Sequence, residues 1–290
     1  MKMRRKINIL SLILLFLNGK MILGNYCIDF DQAMTMRPID FGYHDPEDHH
    51  WLTFWRQLYE KNNLTIVQPS TTMRIPKIIH QIWLGSPVPE RFKACMDSWK
   101  IMHPDWLYIL WTDEKINHIK LYNQALFDRA INYAQRSDIL RYELLYHYGG
   151  LYVDVDFRCL KPFDFLHHSY DFYIGIMNTG VVELGNALIG SAPNHPILKE
   201  IITNIRHAKI KSFNDFVNAT GNAHVSKSFM NIAPHYTGPI IVLPCSFFYP
   251  LPNTERFLTQ EKQDTWIRPE SFAIHYWACS WQKKEAFIVQ

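Results

Sequence analysis

The sequence contains no C-x-x-C pair. Its five cysteines, Cys27, Cys95, Cys159, Cys245 and Cys279, stand far apart. That spacing argues against a zinc knuckle, and the odd count argues against a scaffold held by disulfides alone. One or two bridges would remain open to an exported chain. No G-x-G-x-x-G follows the first strand-like run, because Leu84-Gly85-Ser86-Pro87 lacks the glycines of a dinucleotide-binding turn. No internal repeat is visible. The N-terminal apolar run, 7–17, is well short of the ~20 residues that span a bilayer. Acids are absent before Asn25, where Lys2, Arg4, Arg5, Lys6 and Lys20 all lie. The formal charge of +3 therefore belongs to the N-terminus. The remainder carries 25 basic against 27 acidic residues, a net of −2, which gives no basic face and excludes nucleic acid as the expected partner.

What is present is a chain rich in core-forming residues. Hydrophobic residues make up 48% of the 290 and charged residues 20%, enough for one large domain and against wholesale disorder. The basic cluster followed by a short apolar run has the layout of a secretory signal over 1–24, with cleavage near Gly24. A short signal-anchor or a plain apolar N-terminus would also fit. The expected location is thus the secretory pathway, the exterior or a membrane surface, the cytoplasmic face included. Residues 25–72 read as an N-terminal extension. Within it 40–50, with His44, His49 and His50, reads as a solvated loop rather than a metal site, because no apolar frame fixes those imidazoles. Residues 51–59 read as an amphipathic helix with Trp51, Phe54, Trp55 and Leu58 on one face. Asn63 and Asn218 stand in N-x-T sequons.

From Pro76 the pattern becomes regular. Strands are expected at 77–84, 106–111, 151–157, 172–177 and 181–189. Helices are expected at 89–102, at 124–148 in one or two pieces, and at 195–207. Alternating strand and helix predict an α/β layer fold with a mostly parallel central sheet flanked by helices.

The chemistry concentrates in Gly149-Gly150-Leu151-Tyr152-Val153-Asp154-Val155-Asp156. On a strand, alternation would turn Asp154 and Asp156 to the same side. Two carboxylates so close repel unless a cation sits beside them, and oxygen ligands favour Mg²⁺, Mn²⁺ or Ca²⁺. Upstream, Asp138 and Arg141 are i,i+3 and share a helix face. The helix leads through the glycine pair into the acidic strand, so Arg141 could fork onto the oxygens of a metal-bound diphosphate. A simple surface ion pair is the plainer alternative.

Ile75-Pro76-Lys77-Ile78-Ile79-His80-Gln81-Ile82-Trp83, then 137–141, then 148–156 resemble, in order and spacing, the family-32 glycosyltransferases. That family includes fungal outer-chain mannosyltransferases and enzymes that extend glycolipids, and it shares its D-x-D region with the clostridial glucosylating toxins. The resemblance runs over about 75–281. It implies a GT-A fold over 73–290, a nucleotide-diphospho-sugar donor (UDP- or GDP-linked), Mn²⁺ or Mg²⁺, retention of anomeric configuration, and a glycan, glycolipid or protein acceptor. Carried over by position, Asp154, Asp156 and Arg141 would be catalytic, and Asp154, Asp156 and His275 would hold the metal. Trp83 would flank the base. Asp138 and Arg141 would hold sugar hydroxyls, Asn186 would lie near the donor or the acceptor, and Tyr152 would line the donor site. Ser280 and Trp281 would close over it. Two alternatives stand beside this: an inactive sugar-binding relative, and a phosphatase of the haloacid-dehalogenase type, which would form a trappable aspartyl-phosphate.

Overall fold

A computed structural model describes residues 28–34, 46–130, 132–207 and 213–278. The segment 1–24, expected to be a signal or anchor, and Cys27, His44, Cys279, Ser280 and Trp281 lie outside the described residues. Six strands form the central sheet: β1 (Ile78–Ile82), β2 (Leu107–Trp111), β3 (Gly150–Val153), β5 (Phe172–Ile176), β6 (Leu184–Ser191) and β7 (Ile240–Leu243). Their order is β2-β1-β3-β6-β5-β7. β1 runs parallel to β2 and β3, and β5 to β7, while β6 is antiparallel to both of its neighbours. Five strands thus point one way and β6 the other. A separate antiparallel pair joins β4 (Phe157–Cys159) to β8 (Ala273–His275).

β3, β5, β6 and β7 have every residue buried because helices cover the sheet, and β5 and β7 read as near-continuous apolar runs. Helices α1 (Pro46–Asn62), α2 (Lys93–Met102), α3 (Tyr133–Tyr148), α4 (Pro196–His207), α5 (Phe213–Thr220) and α6 (Asn222–Ile232) supply that cover. α1 packs on β7, α2 on β4, α3 on β1, β3 and β6, and α6 on β6 and α4. The apolar face of α1 is therefore spent inside the protein: Leu52, Trp55 and Tyr59 are buried, and Trp51, Phe54 and Leu58 pack beside them.

Two sequence expectations are corrected and one alternative is decided. Residues 46–50 are not loop but the first turns of α1, which opens on Pro46 with Glu47 and Asp48 behind it, a favourable start for a helix. The run at 124–148 is two helices, Gln124–Arg129 and α3, divided where the Asn132 side chain accepts from the Gln135 N–H and caps α3. The strand expected over 151–157 stops at Val153. There the chain turns, with the Phe157 N–H donating to the Asp154 carbonyl, and re-enters β4 on another sheet.

Gly149 and Gly150 carry the chain from α3 into β3. Both have positive φ, +62° and +104°. A Cβ on Gly150 would lie 2.6 Å from the Ile78 carbonyl oxygen, so the residue is required by close backbone approach as well as by conformation. His80 fastens the junction. Its Nε2 bonds the Gly149 carbonyl, which can only accept, so Nδ1 is the bare nitrogen that accepts from Trp111 Nε1–H at 3.0 Å. Burial pushes this imidazole down to about 4, so it is neutral at physiological pH.

Candidate metal and donor site

The turn after β3 lies at the carboxyl end of the parallel strands, where open α/β sheets bind their ligands. Three segments fix it. Val155, between the two acids, packs into a small cluster with Phe92, Met96, Trp83 and Tyr108. The Asp154 N–H donates to the Ala187 carbonyl on β6. Asp156 is enclosed by the segment after β8. His275 Nε2 lies 3.2 Å from its Oδ1, the Ala278 N–H donates to Oδ2 at 2.8 Å, and the Tyr276 N–H donates to its carbonyl. The return turn needs a positive φ of +52° at Trp277, a costly conformation for a bulky residue, and the buried indole offsets it by bonding the Leu251 carbonyl and packing on His275.

Ligand atoms of Asp154, Asp156 and His275 all lie within 4.8 Å of one another. Two carboxylates and one imidazole form a donor set that suits Mn²⁺ or Mg²⁺, the nitrogen tilting it towards Mn²⁺. The geometry leaves room for an ion: among the described residues both side-chain contacts of Asp154 fall on Oδ1, and His275 Nδ1 is buried with no partner. Burial raises the Asp154 carboxyl above its ordinary range, against Arg141, and Asp156 adds to the rise. Burial also opposes ionisation of Asp156, but His275 and the Ala278 N–H outweigh it and hold that carboxyl below its ordinary range. Two like charges driven apart in this way are what a divalent cation would relieve.

Next to the acids sits a closed polar network. Arg141, side chain 7% exposed, meets Asp138 at 3.1 Å and Asp154 at 3.4 Å, donates to the carbonyls of Ser137 and Asn186, and lies over the Tyr152 ring. The Tyr152 hydroxyl donates to Asp154 Oδ1 at 2.5 Å. Asn186 Nδ2 donates to Asp138 and to the Tyr142 hydroxyl, and the Thr220 hydroxyl reaches the other Asp138 oxygen. Burial, with Asp154 adding to it, pushes Asp138 up to about 6 against the pull of Arg141, so it remains ionised at neutral pH.

The structure thus brings together Asp138, Arg141, Tyr152, Asp154, Asp156, Asn186 and His275. Trp83 stands in the cluster under Val155, its indole N–H donating to Ser86. Sequence reasoning did not single out Gln81, Tyr142, Thr220 or the Ala278 N–H. Gln81 carried a readable signal, one of two polar residues, with His80, inside a buried strand; the others join the site only through tertiary contacts.

A profile of glycosyltransferase sugar-binding regions containing a DXD motif matches residues 89–173, which hold Asp138, Arg141, Tyr152 and both acids. The chain belongs to this DXD glycosyltransferase family. Inositol phosphoceramide mannosyltransferase 1 of Schizosaccharomyces pombe is 32% identical over 210 residues, covering 68% of this chain and 64% of that protein. Inositol phosphoceramide mannosyltransferase 2 of the same yeast is 40% identical over 135 residues, 45% of this chain and 38% of that one. The chain therefore spans less than two thirds of the length of either relative. Among solved structures, PaToxG glycosyltransferase is 22% identical with a TM-score of 0.47, over 64% of this chain and 78% of that one.

Proposed function

We propose that this DXD glycosyltransferase is a metal-dependent hexosyltransferase that moves mannose from a nucleotide-diphospho-sugar to a glycolipid acceptor with retention of configuration. The observation that carries the reading is the convergence of Asp154, Asp156 and His275, from segments some 120 residues apart in sequence, on one point at the sheet's carboxyl edge. Mannose and a lipid acceptor are supported by the names of the two yeast relatives. Retention and the nucleotide donor are supported by the motif resemblance alone.

In this reading Asp154 and Asp156 hold Mn²⁺ or Mg²⁺, with His275 as the third ligand. The ion supplies neutralising charge to the leaving nucleoside diphosphate. Asp138 and Asn186 present a carboxylate and an amide to the sugar hydroxyls. Arg141 keeps Asp154 aimed and adds positive potential beside the departing phosphates, in a buried place where it acts without reorganising. Trp83 flanks the nucleotide base. The N-terminal basic and apolar segment would bring the enzyme to a membrane or into the secretory lumen, where such an acceptor is met.

The test is a donor panel of UDP- and GDP-sugars offered with phosphoinositol-ceramide vesicles, with Mn²⁺ and with EDTA. Metal-dependent transfer from GDP-mannose giving the α-anomer supports every part. Transfer of another sugar would remove mannose and keep the class, and an inverted product would remove retention. No metal-dependent release from any donor would sink the proposal.

A further inference from the structure

The Asp154 carbonyl lies at the point where the sheet gives out. β1 pairs with β3 at Ile79 and His80 against Leu151 and Tyr152, and the ladder goes no further. Asp154 has its N–H engaged by Ala187 on the β6 side. On the β1 side a side chain replaces the ladder. Gln81, fully buried, donates from Nε2 to the Asp154 carbonyl at 3.2 Å, and its Oε1 accepts from the Tyr108 hydroxyl. The amide orientation is fixed by chemistry, because a carbonyl can only accept and the nitrogen must therefore face it. Tyr108 is held in turn. It packs in the cluster that contains Val155 and Trp83, and the Lys100 ammonium lies 4.7 Å from its ring centre.

We infer that Gln81 is a positioning residue for the metal ligand Asp154, with Tyr108 fixing Gln81. The inference rests on the metal reading above. A buried glutamine has no packing advantage over leucine, and among the described residues its two ends meet groups that lead to the acid turn. Without the amide, the Asp154 carbonyl keeps a single partner among the described residues, the Phe157 N–H, and the backbone that aims the carboxylate loses its tie to β1. Groups that orient metal ligands typically change metal affinity ~10–100-fold when removed.

The test is Mn²⁺ titration by calorimetry of the full chain, wild type against Gln81→Leu, Gln81→Glu and Tyr108→Phe, with folding of each checked by circular dichroism. Gln81→Glu keeps size and the acceptor for Tyr108 but loses the donor, so it serves where the leucine variant fails to fold. Expected is a rise in Kd of at least ~10-fold for either Gln81 variant and ~2–3-fold for Tyr108→Phe, with Mn²⁺ electron-resonance lines broadened by a less uniform ligand field. A folded Gln81 variant that binds Mn²⁺ within two-fold of wild type overturns the inference and leaves the metal site standing. So does an unchanged Kd in Tyr108→Phe if neither Gln81 variant folds. A wild-type protein that binds no Mn²⁺ overturns the metal reading and this inference together.

Discussion

Replacing Arg141 with methionine should cost more than any surface change in the molecule. Its guanidinium faces Asp138 at 3.1 Å and Asp154 at 3.4 Å and is itself 7% exposed, so the two acids share one buried counter-charge. Methionine nearly fills the volume but leaves both carboxylates unpaired. Breaking a buried pair from one side costs about 3–5 kcal/mol, and at ~2–4 °C per kcal/mol for a large domain the midpoint should fall by roughly 10 °C. The sign of the pH effect is fixed by the same geometry. Arg141 lowers the pKa of both Asp138 and Asp154, so removing it raises their folded values further above the unfolded ones. A carboxyl raised on folding is least costly when protonated. The variant should therefore recover part of its deficit as pH falls from 8 to 5, and lose it again as pH rises through the raised values. Differential scanning calorimetry at the two pH values measures this directly. A shift under ~2 °C, or an equal shift at both pH values, would refute the shared counter-charge.

Two further outcomes test the frame. His195 Nδ1 accepts the Ile197 N–H at the start of α4, and burial pushes the ring down to about 4, as in His80. Stability present above pH 6.5 is lost as pH falls towards 4, by ~2 kcal/mol per ring at pH 5, because the unfolded histidine takes up the proton first. In urea unfolding, His195→Asn should keep the cap and shrink the difference between pH 7 and pH 5 by that amount; an unchanged difference would refute it. Gly150→Ala should destabilise by more than ~1 kcal/mol in thermal melts, since φ is +104° and the added Cβ meets the Ile78 carbonyl; a neutral alanine would show that the junction relaxes freely.

Much of the site was legible because its parts are local. Asp138 and Arg141 are one helical turn apart, the glycine pair marks the end of α3, and the acids follow at once. The apolar runs also placed β1, β2, β5 and β6 to within three residues, whereas β7 (Ile240–Leu243) was not anticipated as a strand. What was not legible is non-local. Val155 and Phe157 are β-formers, so 151–157 read as one strand with its acids aligned by alternation. In the structure Phe157 pairs with His275, and the acids converge because a turn folds them and the 275–278 segment closes around Asp156. The same two residues were singled out, but the physical cause differs. The reversal of β6 against its neighbours is likewise a matter of pairing that periodicity does not encode.

The central claim is that Asp154, Asp156 and His275 bind the ion on which transfer depends. The most direct measurement is Mn²⁺ calorimetry paired with GDP-mannose turnover, on wild type and on Asp156→Asn, a change that keeps the side chain's size and its acceptor for the Ala278 N–H. The account predicts one Mn²⁺ per wild-type chain, turnover abolished by EDTA, and loss of both binding and turnover in Asp156→Asn while the fold persists. Metal-dependent turnover surviving in Asp156→Asn would contradict it.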